Sequence, residues 1–129
     1  MMTPPMYRDF PLAVIPTPKF ETGNTDPFTL DASYMALTHN AFIRGFNSIY
    51  QQVSRVQLAD KQDFVGYCIA WHDCISQHYH YEETELFPAI DKAAGKQGLM
   101  DGAVDQHGIK PFRAAAFLLT RPKRPSTAA

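Results

Sequence analysis

Residues 77–88 read QHYHYEETELFP. Two histidines and three carboxylates fall within His78–Glu85, and the run closes on Leu86-Phe87-Pro88. On a helix, side chains four apart stack on one face. His78 and Glu82 are four apart, so an imidazole and a carboxylate can address the same ion. Glu85 is seven from His78 and stays near that face, whereas His80 and Glu83 point elsewhere. An imidazole with a carboxylate suits Fe(II), Mn(II) or Zn(II), but two donors do not complete a site. The stretch is therefore either a solvated charged patch or half of a metal site.

Working backwards from His78, the residues Phe64, Tyr67, Trp71 and Ile75 continue the same three- or four-residue step. The spacing predicts one helix from about Lys61 to about Lys92, capped by Asp60, whose stripe begins apolar and ends in ligand chemistry. Pro88 interrupts it, so a kink or local end is expected near Leu86–Pro88. Trp71 belongs in the core. His72, six before His78, points away as a surface residue or a support for the site. Cys74, four before His78, reads as a small buried residue or a soft neighbour of the metal. Tyr81 is three from His78 and reads as packing there, or as a hydrogen-bond donor to Glu82.

A second long helix is predicted upstream, in LDASYMALTHNAFIRGFNSIYQQVSRV, with Asp31 as its N-cap. Met35, Phe42, Ile43, Phe46 and Tyr50 share one face with His39. Gly45 weakens this helix slightly and permits close packing. Residues 1–30 hold six of the ten prolines. They predict an extended arm, turning around ETGNTDP, whose apolar residues lie along the helices. Downstream, AAGKQGLMDG reads as a connection. A short third helix starts near Asp101, contains His107 and is damaged by Gly108 and Pro111. FRAAAFLLT resumes a short helix, and RPKRPSTAA is a flexible tail. The organisation expected is an arm over 1–30, a helical domain over 31–120 and a basic tail over 121–129.

The whole chain of 129 residues suits one domain, and 45% hydrophobic residues suffice for a core. A formal charge of −1 gives no bulk attraction to nucleic acid or anionic membrane. No aromatic-and-basic surface supports nucleic-acid recognition. The two cysteines, Cys68 and Cys74, lie six apart on one helix and diverge, which favours free thiols and a reducing compartment. No secretory signal and no apolar run of membrane-spanning length is evident, so a cytoplasmic location is the expectation. No phosphate loop, nucleophile elbow or Ser/His/Asp arrangement is present.

Two further histidines stand where a site could recruit them. His39 lies on the apolar face of the upstream helix, and His107 lies in the third. A histidine on an apolar face is more often a hydrogen-bonded core residue than a ligand. The coincidence of His39, His78, Glu82 and His107 raises the metal reading above that background.

These elements resemble the hemerythrin-like (HHE cation-binding) domains over roughly residues 31–108. HYHYEETELFP is similar to their second-helix signature, in which His-x-x-x-Glu is followed by a second acidic residue and Leu-Phe-Pro. THNAFIRGFNSIY resembles the first helix with its single ligand histidine, and DQHG the opening of the third. The resemblance implies an all-α fold: an antiparallel helical bundle of hemerythrin-like type, incomplete, with two long helices, a short broken third and a Pro-rich arm. It implies non-haem iron as cofactor. His39, His78 and Glu82 would be ligands to one metal, with Glu82 bridging to a second that is also held by His107. The partners implied are the metal and a diatomic gas, dioxygen or nitric oxide, or a sensing role for iron or oxygen.

The departures from that pattern are specific. The position four after His107 is Pro111, where the family carries a second histidine. No histidine follows His107 and no carboxylate follows Asp105. A complete di-iron centre therefore does not follow, and one or two irons are both open. Two histidines and a carboxylate still form the donor set of mononuclear Fe(II) sites. The missing fourth helix leaves apolar stripes to be covered by the arm, by FRAAAFLL or by a second copy, which makes a homodimer an expectation. The loss of acidic residues and the basic character after Gly108 also suit a truncated or alternatively read version of a longer protein. The alternative function is a helical module that binds no metal and acts through protein contacts, and catalysis is the least expected of the three.

Overall fold

A computed structural model describes residues 8–107. Among them every regular element is helical and no strand occurs. The helices are α1 (Pro18–Thr22), α2 (Pro27–Gln52), α3 (Lys61–Tyr81) and α4 (Phe87–Ala94), with residues 101–107 also helical. The FRAAAFLLT segment, the helix break at Gly108 and Pro111, and the basic tail lie outside the described residues. The chain divides into two compact units, one ending at Trp71 and the other beginning at His72. Each is described by itself.

In the first unit, α2 runs for 26 residues and begins at Pro27, four residues before Asp31. Its cap is Asp26, whose carboxylate accepts from Thr29 N–H at 3.0 Å and from the Thr29 hydroxyl at 2.5 Å. Pro27 follows at the first helical position, where a missing N–H costs nothing and the fixed φ already matches the helix. The Asp-Pro pair that reads as a turn is thus a helix start, and Asp31 lies within the helix.

Ahead of it, residues 8–17 form the expected extended arm along α2, and α1 is a single short helical turn. The arm is held mainly by its main chain. Asn47, fully buried on α2, accepts from Leu12 N–H at 3.0 Å and donates to Leu12 C=O at 2.8 Å. Asn40 does the same for Ile15, at 2.6 and 2.8 Å. Gln51 donates to the carbonyls of Arg8 and Phe10, and the Ser33 hydroxyl accepts from Lys19 N–H. Polar side chains on a long helix thereby satisfy an arm that has no other regular partner for its backbone.

Gly45 on α2 is closely approached by Trp71, from the middle of α3. The Trp71 indole lies so near that a Cβ on residue 45 would sit 2.6 Å from its Cδ1. The indole N–H donates to the Phe42 carbonyl at 2.9 Å. Phe46 meets Trp71 at 5.8 Å between ring centroids, and the aromatic series continues through Tyr50 to Phe10. Asp60 does not cap α3 as a free N-cap but ends a short 3-10 turn, Leu58–Asp60, that leads straight into it.

In the second unit, Pro88 neither ends nor sharply interrupts the helix. A proline cannot donate to the carbonyl four residues back, and its ring crowds that carbonyl. The chain answers with a wide π-helical turn over Glu82–Leu86, in which Phe87 N–H donates to Glu82 C=O, and α4 then continues. Gly95, in the left-handed conformation at φ 64°, closes α4. The Asp91 carboxylate then accepts from Gly98 N–H at 2.8 Å and Met100 N–H at 3.3 Å. This clasp sets the start of the helical residues 101–107 and so the placement of His107.

Candidate metal centre

Glu82 sits at the first residue of the π-helical turn and is 2% exposed, although it is a carboxylate. A buried carboxylate is costly unless donors or a cation face it. His78, one α-helical turn earlier, brings Nε2 to 2.9 Å from Glu82 Oε1. His107, delivered by the Asp91 clasp, brings Nε2 to 3.1 Å from Glu82 Oε2. The two oxygens of one carboxylate thus face two imidazoles. On the far side of the His107 ring, Nδ1 is 2.9 Å from Glu83 Oε1.

His39 is carried by α2. With His78 and Glu82 it offers a donor set that could hold a metal ion. His39 and His78 are half-buried and Glu82 is buried. The donor chemistry, two imidazole nitrogens and a carboxylate oxygen, fits a borderline divalent cation. His107 is not one of that trio; it joins through the second Glu82 oxygen.

The surroundings differ from expectation at several points. Glu83 does not point away but meets His107. Glu85 is exposed. The wider turn from Glu82 onward explains both, because residues after His78 no longer advance by 100° and the seven-residue alignment with Glu85 fails. His80 is exposed, as its position predicts. Tyr81 is 57% exposed and does not pack at the site. Tyr79 does: its ring stacks on His107 with centroids 3.9 Å apart and planes 9° from parallel. Phe87 covers His107 from a second direction at 5.6 Å. Burial, with the Glu82 charge adding to it, pushes the Tyr79 phenol above its ordinary value. Tyr79 was missed because it flanks His78 in sequence and because its partner is 28 residues away. Cys74 is exposed and not buried, while Cys68 is half-buried and its thiol is pushed up by burial; both are free. His72 lies at the surface beside Asp73.

No protein-family model matches the chain, and neither a curated protein nor a solved structure matches it. No helix among the described residues is long and apolar enough to cross a membrane.

Proposed function

We propose that the chain is a hemerythrin-like metal-binding protein that holds non-haem iron at His39, His78 and Glu82, with His107 on the second oxygen of Glu82. The observation that carries this reading is the buried Glu82 carboxylate with the His78 and His107 imidazoles at 2.9 and 3.1 Å from its two oxygens. The order of the three histidine-bearing segments and the Leu-Phe-Pro ending favour iron over the other cations that such donors accept. Bound iron with open positions supplies affinity for dioxygen or nitric oxide, which gives the protein a binding or sensing role rather than a catalytic one.

The residues around the iron have separable tasks. His39, His78 and Glu82 ligate. Glu83 accepts from His107 Nδ1, which leaves Nε2 as the nitrogen that faces Glu82 Oε2. Tyr79 and Phe87 hold the His107 ring in its plane and limit water at that edge. The test is elemental analysis of protein purified from iron-supplemented cells, with His78→Ala prepared in parallel. About one iron per chain, lost in the variant, is the expected result for a three-donor site. About two would mean that further ligands complete a di-iron centre. No metal in either protein would overturn the reading.

A second reading is favoured by the exposed apolar side chains of the first unit. Leu58 is 81% exposed and Phe28 is 85% exposed, with Tyr34, Leu37, Val65 and Ile69 also more than half exposed. A helical module that acts through protein contacts presents such a surface. The absence of metal together with a stable partner is the outcome that would select it.

A further inference from the structure

The arm and α2 form an interface in which the helix reads main chain rather than side chains. Asn40 and Asn47 are seven apart, two helical turns, and so lie on one face. Each turns its amide edge to one arm residue and satisfies both its N–H and its C=O. Gln51 extends the series by one further turn, with Arg8 and Phe10 carbonyls on one amide nitrogen. Ser33 extends it in the other direction, seven before Asn40. As α2 runs from Ser33 to Gln51, the arm runs from Lys19 back to Arg8. Side chains add the register through the Arg44 guanidinium beside Asp9 at 3.2 Å and the edge-on contact of Phe10 with Tyr50.

Every one of these contacts lies between α2 and residues 8–19, and none depends on the connection that joins them. That connection is short. It runs from Gly23, at φ 72°, to Asp26. Large apolar groups on both sides of it stay in water: Phe20 is 91% and Phe28 is 85% exposed. On the arm itself Phe10, Leu12 and Ile15 are each at least 40% exposed. A short turn between two pieces that bind each other through self-sufficient contacts is the arrangement that allows identical segments to be exchanged between chains.

We infer that the Ser33–Asn40–Asn47–Gln51 face of α2 is a docking groove for an extended main chain, and that its partner in assembly is residues 8–19 of a second copy. The copy's arm is the occupant the groove selects. It brings Asp9 to Arg44 and Phe10 to Tyr50, whereas an unrelated extended peptide satisfies only the asparagines. The exchange leaves all arm contacts in place and changes only which chain supplies them. The inference is independent of the metal reading, since it uses none of the ligand residues.

Complementation tests it on the full chain. One variant, Asn40→Ala with Asn47→Ala, has an intact arm and a broken groove. The other, Leu12→Pro with Ile15→Pro, has an intact groove and an arm without the two N–H donors. Neither can close on itself, yet the arm of the first fits the groove of the second. Helical circular dichroism establishes that each is folded. A milder pair, Asn40→Ala with Ile15→Pro, alters only the exposed contact and serves if the double variants do not fold. Sedimentation of the mixture is expected to give a species of twice the 14.5 kDa chain mass that neither variant forms alone. A mixture that sediments as the sum of its parts overturns the inference. So does a dimer equally abundant in each variant by itself, which places the contact elsewhere.

Discussion

Glu82 and His107 meet across 25 positions of sequence, with Nε2 of the imidazole 3.1 Å from Oε2 of the carboxylate, while the other carboxylate oxygen faces His78. Glu82 is thus the residue through which these two imidazoles communicate. Replacing it with alanine removes the anionic donor and is expected to abolish the proposed iron binding. Glu83→Ala acts one step further out. It releases Nδ1 of His107 and leaves the ligating atoms intact, so metal affinity is expected to fall about 10–100-fold without being lost. Competition titration with a chelator of known affinity measures both. An affinity unchanged in Glu83→Ala would mean that His107 does not support the metal site through Glu82.

Gly45→Ala sets two effects against each other. Alanine in a helix interior is worth up to about 1 kcal/mol over glycine. The new Cβ would lie 2.6 Å from Trp71 Cδ1, and the indole cannot withdraw without losing its bond to the Phe42 carbonyl. Overpacking of this kind costs roughly 1–3 kcal/mol, and the hydrogen bond about 1 more. The clash therefore wins, with a net loss of about 1–3 kcal/mol. Urea denaturation gives the size. Trp71 is the only tryptophan, so its emission is expected to shift to the red as the indole is displaced.

Asn47 is the buried member of the arm-reading series, and Asn47→Ala leaves the Leu12 N–H and C=O facing a methyl group. Losing partners for buried polar groups costs roughly 1–3 kcal/mol, and these part-buried ones fall toward the lower end. Asn40→Ala opens an exposed contact to water instead and is expected to cost less than half as much. Amide exchange locates the effect. Leu12 and Ile15 N–H are expected to lose protection in the respective variants, while Ile49 within α2 keeps its own.

Much of this architecture was legible in residue spacing. The His78–Glu82 step, the apolar stripe leading to Trp71 and the face shared by His39 with Phe42 and Phe46 are local consequences of helical period. The start of α2 was misplaced because Asp26-Pro27 carries turn and helix-start signals in the same two residues, and only the Thr29 contacts decide between them. The π-helical turn was not legible. Pro88 announces that a helical bond is missing but not whether the chain kinks, ends or widens. From that one choice follow the exposure of Glu85 and the reach of Glu83 to His107. The stacking of Tyr79 on His107 depends on the Asp91 clasp, a contact between a helix and the turn that follows it, which no periodicity records.

Asp26 gives the start of α2 a defined response to acid. Its two hydrogen bonds with Thr29 hold the carboxyl below its ordinary value of 3.8. A carboxylate whose pKa is depressed by folding contributes stability that is fully present above the unfolded value and lost as pH falls through the folded one. The first turn of α2 is therefore expected to fray below about pH 4, and Asp26→Asn is expected to remove that response while keeping a capping acceptor. Exchange of the Thr29 and Leu30 amides against pH reads it directly. An acid response that persists in the variant would assign it to another carboxylate.

Tyr79 reports on the charge of Glu82 from the opposite end of the pH scale. Burial raises its phenol above the ordinary value of 10.0, and the neighbouring carboxylate raises it further. The sign is that of a group kept neutral by folding: its contribution is complete below the unfolded value and is lost as pH rises through the folded one. In Glu82→Gln the burial remains and the charge is gone. Ultraviolet absorbance of the phenolate is therefore expected to show one tyrosine titrating late in the wild-type chain and earlier in the variant, though not at the ordinary value. Tyr79→Phe removes that late transition and identifies it. Iron held as proposed would place positive charge at the same carboxylate, so loading is expected to shift the transition in the same direction as Glu82→Gln. No shift on loading would separate the metal from Glu82 and contradict the ligand set proposed for it.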